Sequence, residues 1–177
     1  MRRATSKFQP QVPNGFVLGV ADESALSDLA EVLVDAYTRH SERFLFPEVQ
    51  SQEDARAYLR RVQSGAFGVY RPNYEIGAWR DGACAAFVIG CQVLPGLGFT
   101  LHLAVRPDFW GRGLGRNLLA ALTSAFAEDS LDYIALGVTC DNPAVSLYQR
   151  AGFDSVASVP VYYRLDRAFP PANNCAL

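Results

Sequence analysis

The chain has 177 residues, 50% apolar and 19% charged, a balance that suits one folded domain with a full core and excludes a disordered chain. A net charge of −2 offers no basic excess for releasing phosphate counterions, so nucleic acid is not an expected partner. No apolar run approaches the roughly 20 residues that cross a bilayer, and the opening MRRATSKFQPQVPNG has no apolar stretch behind its arginines, so no membrane partner and a cytoplasmic location are expected.

The predicted division is an irregular arm over 1–15, one domain over 16–166 and an irregular tail over 167–177. Phe16–Val20 reads as a first strand. Asp22 then caps a helix whose apolar face is Leu26, Leu29, Ala30 and Leu33, fading around Tyr37–His40. Residues 41–50, SERFLFPEVQ, read as a loop packed on the core, with a cleft wall as the functional alternative. Ser51 and Asp54 form a capping box before a second helix. Strands are predicted over Phe67–Arg71, Tyr74–Trp79 and Ala83–Cys91. The Asp81-Gly82 pair marks a tight hairpin turn. A Pro/Gly turn over 92–98 leads to a strand over Phe99–Val105. A helix over 114–127, a strand over 132–138, a helix over 143–150 and a last strand near 159–165 complete the order. This gives an α+β class with a mixed sheet and helices on its faces. Asn142, Pro143 and Gly152 punctuate the 143–150 helix.

Cysteines at 84, 91, 140 and 175 form no CxxC pair, and only His40 and His102 are histidines. No metal site is expected, and the thiols read as free and mostly buried.

The segment that carries chemistry is LHLAVRPDFWGRGLGRNLL, residues 101–119. A strand ends at Val105, and Gly111 to Arg116 run straight into a helix. Glycines allow tight backbone turns and close ligand approach, and free amides at a helix start attract anions. The loop lacks the lysine of a nucleotide triphosphate loop, and Arg116 breaks the dinucleotide fingerprint.

VRPDFWGRGLGRNLL resembles the acetyl-CoA-binding motif of the GNAT superfamily of N-acetyltransferases. The segment DNPAVSLYQRAGF, residues 141–153, is similar to the second signature of that family, in which an Asn opens a helix and a Tyr follows. One position departs: Trp110 stands where the family motif starts with Arg or Gln. The resemblance implies a GNAT fold, with a mostly antiparallel sheet of about 6–7 strands and about 4 helices, splayed at the cofactor-binding strand. It is somewhat closer to ribosomal-protein N-terminal acetyltransferases in its second half.

The resemblance also implies roles. Amides of Gly111, Arg112, Gly113, Leu114, Gly115 and Arg116 would cradle the pyrophosphate of acetyl-CoA. Backbone groups of Leu103, Ala104 and Val105 would bond the pantetheine arm as an added strand. Asn142 would contact that arm while capping its helix. Tyr148 would give a proton to the departing thiolate. The position at which some relatives carry a Glu base is about Gly137, so His102, which titrates near neutrality, becomes the candidate base. Asp141 and Glu75 are weaker candidates. The expected activity is direct acetyl transfer to a primary amine of a small molecule or a protein N-terminus, by a monomer or homodimer. Acceptor contacts are expected from 37–50, Tyr70–Tyr74 and Val159–Tyr163. The alternatives are a non-catalytic acyl-CoA sensor and an acyltransferase for longer acyl-CoA.

Overall fold

The computed structural model describes residues 1–7, 10–38 and 40–160. Among them are six strands, β1 (Arg2–Ala4), β2 (Val17–Val20), β3 (Glu75–Arg80), β4 (Ala83–Leu94), β5 (Leu97–Val105) and β6 (Tyr133–Leu136). They form one sheet in the order β1-β6-β5-β4-β3-β2. All pairs are antiparallel except β5 with β6. Helices α1 (Leu26–Tyr37) and α2 (Gln52–Gln63) cover one face. Helices α3 (Leu114–Glu128) and α4 (Val145–Arg150) cover the other. The mixed α+β sheet flanked by four helices is the predicted class.

Local chemistry explains most boundaries. Asp22 accepts a hydrogen bond from the Ser24 amide at 2.9 Å, but it caps a short 3-10 turn, Glu23–Ala25, that runs into α1. At the start of α2, Ser51 Oγ accepts from the Asp54 amide at 3.1 Å and donates to the Asp54 carboxylate at 2.6 Å. Asp81 and Gly82 both take positive φ, 51° and 81°, as a type I′ hairpin requires. Helix α4 ends in a Schellman motif: the Phe153 amide donates to the Tyr148 carbonyl and the Gly152 amide to the Gln149 carbonyl, with Gly152 at φ 82°.

Four expectations are corrected. Residues 2–4 are not irregular; they pair with Ala135, Ile134 and Tyr133 at the sheet edge. Residues 67–71 do not form a strand; they contribute a single bridge, Val69 to Gln92, and Gly68 at φ 142° breaks any extended run. Cys84 and Cys91 are free and buried, but Cys140 is disulfide-bonded. Of the last predicted strand, Val159 and Pro160 are not in a strand and 161–165 lie outside the described residues, as do Tyr162 and Tyr163.

The core has two halves. Leu29, Val32 and Leu33 of α1 and Leu59 of α2 pack on Phe87, Ile89 and Ala104. Leu118, Leu122 and Phe126 of α3 pack on Ala86, Val88 and Ile134. Each fully buried aliphatic side chain contributes about 1.5–3 kcal/mol. Gly98 makes room for Phe126, since a Cβ there would lie 2.4 Å from its ring. No helix among the described residues is long and apolar enough to cross a membrane.

Candidate active site

The site begins where two strands part. β5 pairs with β4 as far as Val105, but with β6 only from Leu97 to Thr100. Beyond Thr100 one edge of β5 is unpaired among the described residues. The Arg106 amide donates to Ala85, which fixes the alternation: the backbone groups of His102 and Ala104 face β4, and those of Leu103 and Val105 face the open edge. The open edge faces a cleft of about 570 Å³, which α1, the 40–46 turn, α3, β6 and α4 also line.

A β-bulge prepares this edge. Ile89 opposes His102 and Gly90 opposes Thr100, so Leu101 is the extra residue. Simple alternation sets Leu101 and His102 on opposite faces. The bulge instead turns both toward α1 and α2, while Leu103 and Val105 pack toward α3.

The glycine turn closes one end of the cleft. Gly111 and Gly113 adopt φ of 74° and 80°, a region that suits glycine, and Gly113 caps α3. The first closed bond of α3 runs from the Asn117 amide to the Gly113 carbonyl, so the amides of Leu114, Gly115 and Arg116 precede the helical ladder. The Asn117 side chain also donates to Gly113 O, at 2.9 Å, and holds this carbonyl against the helix. Trp110 is half exposed, and its indole N–H donates to the Val105 carbonyl at 2.8 Å. The departing residue therefore takes one acceptor on the open edge and leaves the Leu103 groups and the Val105 amide facing the cleft.

The other end of the cleft holds side chains. Tyr148 lines it from α4 and is buried; burial, then the Glu42 carboxylate, pushes its phenol well above its usual value, so it stays protonated. Asn142 caps the turn into α4 by accepting from the Ala144 amide at 2.8 Å, and it donates to Glu42 at 2.8 Å. His102 is among the residues that line the cleft, but its side chain is only 1% exposed. Its Nδ1 is 3.3 Å from the Tyr37 hydroxyl and its Nε2 is 3.3 Å from Glu48. Glu75 sits apart from the cleft, bonded to Tyr70 and Gln63.

Sequence reasoning gave Glu42 no role beyond its place in the 37–50 stretch. Its carboxylate is buried in the cleft wall and accepts from the Thr139 amide at 2.8 Å, the Thr139 hydroxyl at 2.7 Å and Asn142. Asn117 was missed, while Tyr37, Glu42 and Glu48 fell inside the 37–50 acceptor stretch without a role of their own. No local signal marks a carboxylate with partners about a hundred residues away.

The acetyltransferase (GNAT) family model matches residues 29–153, a span holding the glycine turn, the splayed strand and α4. The chain belongs to the GNAT acetyltransferase family. It is 49% identical over 63 residues to the mycothiol acetyltransferase of Clavibacter michiganensis, a match that covers 35% of this chain and 20% of that protein. The chain thus spans about one fifth of the curated relatives it matches. Among solved structures, this GNAT chain is similar to the ribosomal-protein-S18-alanine N-acetyltransferase of Escherichia coli, at 23% identity and TM-score 0.61, covering 80% of this chain and 79% of that one. It is also similar to the PaiA N-acetyltransferase of Thermoplasma acidophilum in complex with coenzyme A, at 20% identity and TM-score 0.62, covering 78% and 89%. A GNAT structure from Sphaerobacter thermophilus aligns over 82% of this chain and 43% of its own, at 20% identity and TM-score 0.65.

Proposed function

We propose that this chain is an acetyl-CoA-dependent N-acetyltransferase acting on a primary amine of a small molecule or a protein N-terminus. The observation that carries the reading is the half-open β5. An edge unpaired beyond Thr100, beside a glycine turn with free amides, fits an extended arm that ends in phosphates. In this reading the amides of Gly111 to Arg116 hold the pyrophosphate, with the Arg112 and Arg116 side chains offsetting its charge. The Leu103 backbone and the Val105 amide hold the pantetheine arm; Ala104, whose backbone faces β4, supports them. When bound, acetyl-CoA supplies an acetyl group activated as a thioester.

The chain supplies the proton steps. The acceptor amine is protonated at neutral pH and must lose a proton before it attacks. His102 is the candidate base for that proton, which reaches it through the groups that line the cleft. Tyr148, kept neutral by burial, holds a proton at Oη for the sulfur that leaves. The Asn142–Glu42 contact fixes α4, and with it Tyr148, against the acceptor-side turn.

Calorimetric titration of the protein with acetyl-CoA tests the reading, with free CoA, longer acyl-CoA and NADH as comparators. Tight binding of acetyl-CoA and CoA is expected, with NADH silent. Silence toward every CoA species overturns it. Binding without turnover across an amine panel leaves a non-catalytic acyl-CoA sensor, and preference for a longer chain redirects the acyl group.

A further inference from the structure

His102 is too deeply enclosed to meet an acceptor amine. The rings of Tyr37, Phe46 and Tyr58 surround its imidazole edge to face, at centroid distances of 5.7, 5.6 and 5.2 Å. Its two nitrogens are nonetheless spoken for in a definite order. Burial pushes the Glu48 carboxyl up, but the His102 hydrogen bond, a backbone bond and the His102 and Arg61 charges outweigh it and hold Glu48 below its usual value. An ionised carboxylate only accepts, so in the neutral ring we infer that Nε2 carries the hydrogen shared with Glu48. Nδ1 is then the acceptor, and the Tyr37 hydroxyl donates to it. Tyr37 in turn lines the cleft beside Glu42.

We propose that Tyr37, His102 and Glu48 form a proton relay whose cleft-facing end, the Tyr37 hydroxyl, receives the proton of the acceptor ammonium. This rests on the acetyl-transfer reading and moves the amine-facing role from His102 to Tyr37. The balance is simple. An N–H bond of the ammonium breaks as a bond forms to Tyr37 Oη. The Tyr37 hydroxyl proton passes to His102 Nδ1, and the imidazolium is held by Glu48. The Nε2 proton then leaves through Glu48, whose side chain is 15% exposed, and exchange of the Nδ1 proton for one on Nε2 restores the resting tautomer before the next turnover. Tyr37 is the catalytic residue of the relay, and His102 and Glu48 are positioning residues. Burial, then Glu42, Tyr148, Glu48 and Tyr58, pushes the Tyr37 phenol well up, so it works as a conduit and not as a standing phenolate. The titratable and charged groups that face the relay are Tyr58 and Arg61 from α2, His40, Glu42 and Glu48 from the turn, Tyr148 from α4 and Cys91 from β4.

Long-range 1H–15N spectroscopy of the full chain tests the relay without an acceptor. Only two histidines contribute, and His40→Gln assigns them. The expected signature for His102 is a protonated Nε2 and an unprotonated, hydrogen-bonded Nδ1. Tyr37→Phe should shift the Nδ1 resonance, and Glu48→Gln should shift the Nε2 resonance. A protonated Nδ1 in the wild-type protein, or an Nδ1 signal indifferent to Tyr37→Phe, overturns the relay. In turnover, Tyr37→Phe should lower kcat by about 100-fold with KM for acetyl-CoA unchanged, and a kcat within twofold of wild type at every pH refutes it. Failure of acetyl-CoA to bind in calorimetry would sink the acetyl-transfer reading instead and leave the tautomer result standing on its own.

Discussion

The two faces of the sheet build their halves of the cleft from different material. On the α3 side the wall is largely backbone, with Tyr148 and Asn142 added at the α4 end: the open edge of β5, the amides before the first bond of α3, and glycines at positive φ. On the α1/α2 side they are side chains: Glu42, Tyr37 and, behind them, His102 and Glu48. A wall made of amides tolerates changes in side chain, which is how Trp110 stands where the family has Arg or Gln. A wall made of side chains depends on each residue and on the distant partner that orients it.

The largest test of this contrast removes the support of the backbone wall. Phe126→Ala empties the space between α3 and the sheet, where its ring lies 4.6 Å from that of Tyr74. It should cost about 3–5 kcal/mol of stability in chemical denaturation. Next, Tyr148→Phe removes one hydroxyl. Turnover should fall by about 100-fold or more, while calorimetry still shows wild-type affinity for acetyl-CoA; equal losses of both would make Tyr148 a packing residue. Gly113→Ala should act in the opposite sense. The residue sits at φ 80°, and the strain of about 1–2 kcal/mol should appear as weaker acetyl-CoA binding, read in the same titration.

The smallest effect concerns a polar group outside the cleft. Burial raises the Glu75 carboxyl above its usual value, with the bonds from Gln63 and Tyr70 pulling it back, and its second oxygen has no partner. A raised carboxyl gives stability that is fully present below the unfolded-state value and lost as pH rises through the folded-state value. Glu75→Gln should therefore match wild type in acid and gain slightly on it as pH climbs past the usual carboxylate range. Thermal melts across that window check the sign. No change in kcat is expected, and a loss would bring Glu75 back as a candidate base.

Legibility followed the same division. The capping box at Ser51, the hairpin turn at Asp81-Gly82 and the C-terminal punctuation of α4 were readable because each is a local bargain between a backbone and its own neighbours. The strand at 2–4 was not, since three polar or small residues form a strand there only because β6 offers an edge. The false strand at 67–71 failed in the opposite way: its apolar residues had the right composition but no continuous partner.

The sequence by itself determined the α+β order, the family and the cofactor-side motifs, because the glycines, the cap residues and the tyrosine spacing act over a few neighbouring positions. Only the tertiary structure decided which side chains line the cleft. The bulge at Leu101 turns His102 toward α1 and α2, the 40–46 turn brings Glu42 onto Thr139 and Asn142, and α1 ends with Tyr37 against the imidazole. Those hydrogen bonds join residues 54 to 100 positions apart, and bonds of that kind leave no period or spacing in the chain for a reader to find.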